Sequence, residues 1–313
     1  MILCAGENLI DMIQQRLAED GAPEFRAVVG GSPYNCARAL GRLGACVGYM
    51  TPISTDRMGG LLADALTRDN VSMLAGRSNR PTSMALVSLD AGQPSYQFYR
   101  EGVADRDFTL HDLQSALPES TQALHLGSIS LNEGADADAL AELAETVAAK
   151  GIAVSVDPNV RPVLLHGDAT AYRARLSRIF AAADIIKISD EDLAWWDPVR
   201  AQQDAVKALF DSAAPRLLVL TRGADGMVVL RGDDRYEVPA ATVSQVIDTV
   251  GAGDTLMAAL LQGLGDAGAL DSQALASLPG AALTSVLERA ARAAAITCSR
   301  AGCNPPTRAE LDA

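Results

Sequence analysis

The stretch Val246-Ile247-Asp248-Thr249-Val250-Gly251-Ala252-Gly253-Asp254-Thr255, followed directly by the apolar run Leu256 to Leu264, decides how the rest of the chain is read. An extended β-branched lead-in gives way to two glycines bracketing an alanine, then an acid, then a helix. Leu256, Leu260 and Leu264 recur at helical spacing, with Met257 and Leu261 beside them, so the helix buries that face. The loop therefore feeds the N-terminus of an anchored helix, where backbone N–H groups and the positive end of the dipole face an incoming anion. Gly251 and Gly253 let the backbone approach a phosphate with no Cβ in the way. A carboxylate in such a place opposes the anion's charge. Asp254 makes sense there as a base that takes a proton from a hydroxyl while neighbouring N–H groups hold the phosphoryl group under attack. A second reading stays open at this point: aspartate is a favoured N-cap, and the glycines make a turn.

The 313 residues suffice for one large domain or two modest ones, and a hydrophobic content of 49 % supports a buried core. A formal net charge of −13 argues against a nucleic-acid or anionic-membrane surface, although a local anion site remains compatible with it. The opening Met1-Ile2-Leu3-Cys4-Ala5-Gly6 has no basic region and is soon followed by Glu7 and Asp11, unlike a signal peptide. No window approaches a transmembrane span. Cys4, Cys36, Cys46, Cys298 and Cys303 are scattered with no C-x-x-C, and read as reduced thiols of a cytoplasmic protein. His111, His125 and His166 are isolated, which speaks against a histidine-ligated metal. No G-x-S-x-G elbow is present.

Along the chain, Ile2 to Ala5 reads as a first buried strand with Glu7 and Asp11 beyond its C-terminal end, where ligands sit in open α/β sheets. Phe25 to Val29 is a candidate strand. Gly30-Gly31-Ser32-Pro33 then opens a helix to about Gly44, with Ser32 as N-cap, Pro33 at the first helical position and Asn35 in the first turn. Val47 to Ile53 reads as a strand and Met58 to Asn70 as a helix. Ser83–Leu89 and Tyr96–Arg100 alternate around Asp90-Ala91-Gly92, the pattern of a hairpin. Strands without an intervening helix suggest a small sheet projecting from the body, to which residues 13–29 add strands. Alternation then resumes: strand Ala123–Ile129, helix Asp136–Lys150, strand Ile152–Val156, and a helix from about Asp168 to Phe180. Strand Ile185–Ile188 and the short helix Glu191–Trp196 follow, then strands Leu217–Thr221, Met227–Leu230 and Tyr236–Pro239. A long Ala-rich helix, about Ala281–Ser299, closes the chain. The count favours one α/β domain over residues 1–313, a doubly wound, mainly parallel sheet in three α/β/α layers, with lid segments near 13–29 and 81–105.

Two motifs carry a family resemblance. Gly30-Gly31-Ser32-Pro33-Tyr34-Asn35 with Ala39-Leu40-Gly41-Arg42-Leu43-Gly44 resembles the N-terminal signature of the ribokinase-like (PfkB) carbohydrate kinases, and Asp248 to Asp254 resembles their C-terminal signature. The resemblance covers essentially the whole chain. It implies a three-layer body with a β-sheet lid, Asp254 as base on the sugar hydroxyl, and an anion hole from the backbone of Gly251, Ala252 and Gly253. Asp11, Gly30, Gly31 and Asn35 would hold sugar hydroxyls, with Phe98, Arg100 and Arg161 as further substrate contacts. Thr221-Arg222-Gly223-Ala224-Asp225-Gly226 resembles the family's T-x-G-x-x-G nucleotide loop, which assigns Thr221, Gly223, Asp225 and Gly226 to the nucleotide; the same residues also suit an ordinary hairpin. Ser189-Asp190-Glu191-Asp192 stands where the family has Asn-x-x-Glu, with Ser189 for Asn and Asp192 for Glu. Oxygen donors remain there for Mg²⁺ through water. Lys187 either reaches the nucleotide phosphates or is a surface lysine at a strand end. Asp248, Val250, Arg300 and Gly302 match positions whose oxygens bind a monovalent cation such as K⁺ in several members.

Within the family, Gly6–Asp11, Asp157-Pro158-Asn159-Val160-Arg161 and Arg300-Ala301-Gly302 look most like bacterial fructokinases, whereas Phe98-Tyr99-Arg100 also resembles the Tyr-Tyr-Arg element of 2-keto-3-deoxygluconate kinases. The expected activity is ATP-dependent, Mg²⁺-assisted phosphorylation of a sugar, D-fructose first and the acidic sugar as alternative. A non-catalytic sugar or nucleotide sensor needs no base, which Asp254 supplies. A Rossmann dehydrogenase would place its glycines after the first strand and would carry a third one. A projecting sheet has edges to cover, and the resemblance implies a homodimer through the lid.

Overall fold

The computed structural model of the chain describes residues 1–90, 93–165 and 169–313. Among the described residues, fifteen strands form three sheets. The central one contains β1 (Ile2–Ala5), β4 (Val47–Tyr49), β6 (Ser72–Met73), β10 (Ala123–Gly127), β11 (Ala153–Asp157), β12 (Ile185–Ser189), β13 (Leu217–Thr221), β14 (Met227–Arg231) and β15 (Asp234–Val238). A small sheet contains β2 (Leu9–Leu17), β3 (Pro23–Gly30), β8 (Ser83–Asp90) and β9 (Gln93–Tyr99). The pair β5 (Ile53–Ser54) and β7 (Arg77–Ser78) completes the set.

The central order is β15-β14-β13-β12-β11-β10-β1-β4-β6. From β6 to β13 every pairing is parallel; at the other edge β14 alone is reversed, pairing antiparallel with both β13 and β15. The chain builds outward from β1 to β4 and β6, then restarts on the other side with β10. The topological switch therefore lies between β1 and β10, and the strand ends above it are where ligands bind in such sheets. The near-continuous apolar strands have the texture of a sheet covered on both faces. Alternate residues of one strand serve opposite cores: Ile2 and Cys4 pack with the helices Ser32–Arg42, Arg57–Arg68, Ala252–Asp266 and Gly280–Cys298, whereas Leu3 and Ala5 pack with Ala135–Ala149 and Thr170–Ala182. The three layers expected from the sequence are present.

The small sheet has the order β3-β2-β8-β9, with β2 and β8 parallel and the outer pairs antiparallel. It begins at Leu9, four residues ahead of the anticipated boundary at 13, and Ala104–Arg106 is a 3₁₀ turn rather than part of the sheet. Asp11 consequently stands inside a strand and not in a loop beyond β1. The turn expected at Ala91-Gly92 lies outside the described residues, as does Asp168, the expected start of the helix that is described from Thr170. Helices at Leu110–Ser115, Gln202–Ala213, Ser272–Ser277 and Arg308–Asp312 escaped the sequence reading.

Candidate active site

A cleft of about 770 Å³ opens between the small sheet and the C-terminal ends of the central strands. The small sheet turns one face toward it: Leu9, Asp11 and Ile13 of β2, Val28 of β3, Val87 of β8, and Phe98 of β9. The pairing explains this face, since Asp11 stands opposite both Val28 and Ala85, and Ala85 opposite Phe98. The body supplies Ser32, Asn35, Asp157, Lys187 and the Asp248–Asp254 loop.

Asp254 is in the first turn of the Ala252–Asp266 helix and only 8 % exposed. Its Oδ1 accepts from the Ser32 hydroxyl at 2.6 Å and its Oδ2 from the Asn35 side-chain amide at 2.9 Å. Burial pushes its carboxyl above the ordinary range, the two hydrogen bonds oppose that, and the charges of Asp157 and Lys187 act in opposite senses. The N-cap of this helix is Gly251, so the capping role left open for Asp254 is filled by another residue. Gly251 takes a positive φ of 76°, and a Cβ there would collide with Cys303. The amide of Ala252 donates to the Thr249 carbonyl at 3.2 Å and that of Thr255 to the Gly251 carbonyl at 2.9 Å, which leaves the amides of Gly253 and Asp254 as the donors of this turn.

The second signature opens the Ser32–Arg42 helix. Gly31, with φ of 111°, is the N-cap, and a side chain there would strike the Glu7 backbone carbonyl. Ser32 is therefore not the cap expected from its position; its hydroxyl is turned to Asp254. Gly30 abuts the Asp11 carboxylate, which a Cβ at that position would meet. Burial raises Asp11 to about 6, against the lowering influence of Arg161. Among the described residues, Asn35 Oδ1 and Asp157 Oδ1 are buried with no hydrogen-bond partner, although both residues line the cleft. Such acceptors suit a ligand rich in hydroxyl groups or bound water.

Lys187 is buried and donates to Asp157 Oδ2 at 2.5 Å, so it is no surface lysine. Burial, the largest single influence, works to lower its pKa, but the charge and hydrogen bond of Asp157 together with the charges of Asp192 and Asp254 outweigh it, and the net shift is upward. Its ammonium lies directly beneath Gly253: a Cβ on that glycine would stand 3.2 Å from Nζ. Asp192 is also buried, accepts from the Val160 amide at 2.9 Å, and is raised chiefly by burial and then by Asp157. Ser189 caps the Asp190–Trp196 helix through Asp192 N at 3.0 Å. Thr221, Gly223, Asp225 and Gly226 do not line the cleft. They form the turn from β13 to β14, with Thr221 beside Ser189 in the sheet, so they border the same strand ends one position further along.

Asp248 ties two loops, accepting from Val250 N at 3.0 Å and Gly302 N at 2.8 Å. Both its oxygens are thus engaged with backbone, and Arg300 directs its side chain to Glu310 and to the Asn304 and Pro305 carbonyls. Arg161 lines the cleft, with its guanidinium on Asn159 Oδ1 at 2.7 Å. Arg100 does not line it. Its Nη2 pairs with buried Asp105 at 2.9 Å and its Nη1 donates to the Ile129 carbonyl at 3.0 Å, facing a neighbouring cavity with Arg106 and Asn132. It is not spread over the sheet surface; these bonds fasten the end of β9 to the body.

Three residues of the site, Glu7, Asp157 and Ser32, were given no role in it from sequence. Glu7 is 1 % exposed and accepts from the Ser32 amide at 2.8 Å and the Ser130 amide at 3.2 Å. Asp157 holds Lys187, and Ser32 holds Asp254. The signal that placed Glu7 beyond the ligand end of Ile2–Ala5 applies equally to Asp157, which closes the apolar strand Ala153–Asp157 at the same end of the sheet.

A model of the pfkB family carbohydrate kinases matches residues 1–310. The chain is 39 % identical over 286 residues to a fructokinase of Rhizobium leguminosarum bv. trifolii, spanning 90 % of this chain and 85 % of that one. It is 34 % identical over 270 residues to fructokinase-1 of Zea mays, spanning 84 % and 82 %. The fold matches the crystal structure of a Xylella fastidiosa fructokinase with bound ATP at a TM-score of 0.89 and 29 % identity, over 99 % of this chain and 96 % of that one. The buried Asp254 at a glycine-bracketed helix start, the facing Gly30–Asn35 turn and the small sheet above them thus occur in a chain that belongs to the pfkB family of carbohydrate kinases.

Proposed function

We propose that the chain transfers the γ-phosphoryl group of ATP to D-fructose. The observation that carries this reading is the clamped carboxylate: Asp254 is buried in a ligand-sized cleft, held by Ser32 and Asn35, at the N-terminal turn of a helix. A carboxylate destabilised by burial is poised to accept a proton. Asp254 takes the proton of the attacking sugar hydroxyl, and the amides around Gly253 with the Lys187 ammonium beneath them hold the phosphoryl oxygens as charge redistributes. Asp11, Asn35 and the backbone at Gly30–Gly31 orient the sugar, and Phe98 covers it from the small sheet, which acts as a lid. Thr221 and the Gly223–Gly226 turn receive the nucleotide.

Among the described residues no group of three His, Cys, Asp or Glu side chains is arranged to chelate a metal. The orphaned Asp157 Oδ1 and the neighbouring Asp192 instead fit an ion held through water and the nucleotide's own phosphates, as Mg²⁺ favours. Mg²⁺ bound there would screen charge on the transferring group. The backbone oxygens at Asp248, Val250, Arg300 and Gly302 are the assignment for K⁺, which would brace the anion-hole loop. No helix among the described residues is long and apolar enough to cross a membrane, and a cytoplasmic homodimer joined through the lid completes the reading.

Fructose is preferred to 2-keto-3-deoxygluconate because Arg100, which belongs to the element that resembles the acidic-sugar kinases, is tied to Asp105, and because the named relatives at 39 % and 34 % identity are fructokinases. The test is kcat/KM with ATP for both sugars, in wild type and in Arg100→Ala. Fructose is expected to win in both proteins. A preference for the acidic sugar that collapses in Arg100→Ala would establish the other substrate.

A further inference from the structure

The hydroxyl of Ser32 stands in an unusual relation to the helix it begins. A serine at a helix start ordinarily accepts from the N2 or N3 amide. Here Gly31 occupies the cap position, no side chain caps the turn, and the Ser32 hydroxyl instead donates across the cleft floor to Asp254, 222 residues away. Three features fix it in that direction. Its backbone amide is held by Glu7 Oε1 at 2.8 Å, Pro33 follows and restrains the chain, and the residue is 8 % exposed. The donor is thus placed before any ligand arrives, and the bond is short and charge-assisted at 2.6 Å.

We infer that Ser32 is a positioning residue for the base: its hydroxyl holds the Asp254 carboxylate in place and keeps it ionised in the pH range where the enzyme works. The inference rests on Asp254 being the base. A buried carboxylate beside Asp157 tends to pick up a proton, and a protonated Asp254 cannot accept one from the sugar. The groups that oppose protonation are few. Ser32 and Asn35 donate to the two oxygens, and Lys187 acts through its charge while shared with Asp157. Among the described residues, His125 from β10 and Cys303 from the C-terminal loop also sense the Asp254 charge, and Arg38 of the Ser32–Arg42 helix lines the same cleft. Glu7 meets Asp254 only through Ser32. Asn35 also orients the sugar, so Ser32 is the contact whose loss tests the ionisation alone.

The test compares wild type, Ser32→Ala and Ser32→Thr, with Asp254→Asn as reference, by two readings. The first is the pH profile of kcat with ATP and sugar; the second is the ¹³C titration of the Asp254 carboxyl in the ligand-free protein, its signal being the one missing in Asp254→Asn. In Ser32→Ala the carboxyl should titrate at higher pH than in wild type, and the acid limb of kcat should move with it. Roughly a tenfold loss is expected below the limb, the scale of one charge-assisted hydrogen bond, with recovery toward wild type above it. Ser32→Thr, which keeps the hydroxyl, should restore both. An Asp254 titration unmoved in folded Ser32→Ala, or a loss of kcat equal at every pH, would overturn the inference. Failure of Asp254→Asn to impair transfer would instead overturn the assignment of the base, while the titration would still report whether Ser32 controls its ionisation.

Discussion

At the scale of single residues, the site is a set of buried charges whose neighbours decide what each can do. Asp254, Asp157 and Asp192 crowd the end of the sheet with Lys187 as the adjacent cation, so desolvation raises Asp254 and Asp192 while the lysine stays charged. If Asp254 is the base, Asp254→Asn should lower kcat by roughly 10²-fold or more, the scale for losing general-base assistance, while ATP still binds. Asparagine can still accept from Ser32 or Asn35, so the fold should survive. Steady-state kinetics with a separate nucleotide titration decide the matter, and a variant keeping most of its kcat would leave Asp254 as a structural group only. Arg100 teaches the complementary lesson. From sequence it was a candidate for reading an acidic sugar, but a short run of residues cannot show that Asp105, five positions on, neutralises it. Ser32 misled for a related reason: cap preference is a local rule, and a partner 222 residues away overrode it.

At the scale of elements, the reading succeeded where one periodicity ran uninterrupted and faltered at short or shared segments. The buried strand Ile2–Ala5 and the long C-terminal helix appear within a residue of their expected bounds. The small sheet was visible as strands lacking intervening helices, yet its start at Leu9 was not. Leu9 and Ile10 face buried surroundings like the end of a body strand, and only pairing with Gly30 and Ser83 assigns them to the other sheet. This sheet presents Phe98, stacked on Tyr96 with ring centroids 6.3 Å apart, to the cleft. If it closes over the sugar and excludes water, Phe98→Ala should raise the sugar KM or the ratio of ATP hydrolysis to transfer. Unchanged values of both would show that the sheet is no lid. The loop joining Asp248 to Gly251 makes a separate prediction. Asp248 fastens it to Gly302, so a K⁺ on the nearby carbonyls would brace the anion hole without touching substrate. Replacing K⁺ by a bulky organic cation should lower the rate of transfer, and equal rates in both salts after removal of trace alkali ions would delete the ion from the site.

At the scale of the whole molecule, the parallel order was legible because strands and helices alternate, whereas the switch between β1 and β10 was not, since strand order is set by long-range packing that no local pattern records. Glu7 sits at that switch. It follows β1, and its carboxylate accepts from the start of the Ser32–Arg42 helix and from Ser130, in the turn after β10. It thereby joins the two halves of the doubly wound sheet beneath the cleft. Burial pushes its carboxyl up from 4.5 to about 7, against the charge of Arg100 and the amide donors. An acid raised in the native state binds a proton there that the unfolded chain has released. Its stabilising contribution is therefore full below about pH 4.5 and is lost as pH rises through about 7. Glu7→Gln has no such titration. The unfolding free energy of the variant relative to wild type should accordingly rise by about 2 kcal/mol between about pH 5 and about pH 7.5, whatever its sign at the lower pH. Taking the difference removes the slope from Asp11, which is raised in the same direction in both proteins. Urea unfolding at the two pH values measures it. A difference that does not change with pH would mean that Glu7 is ionised throughout, held by the two amides and Arg100 strongly enough to overcome its burial.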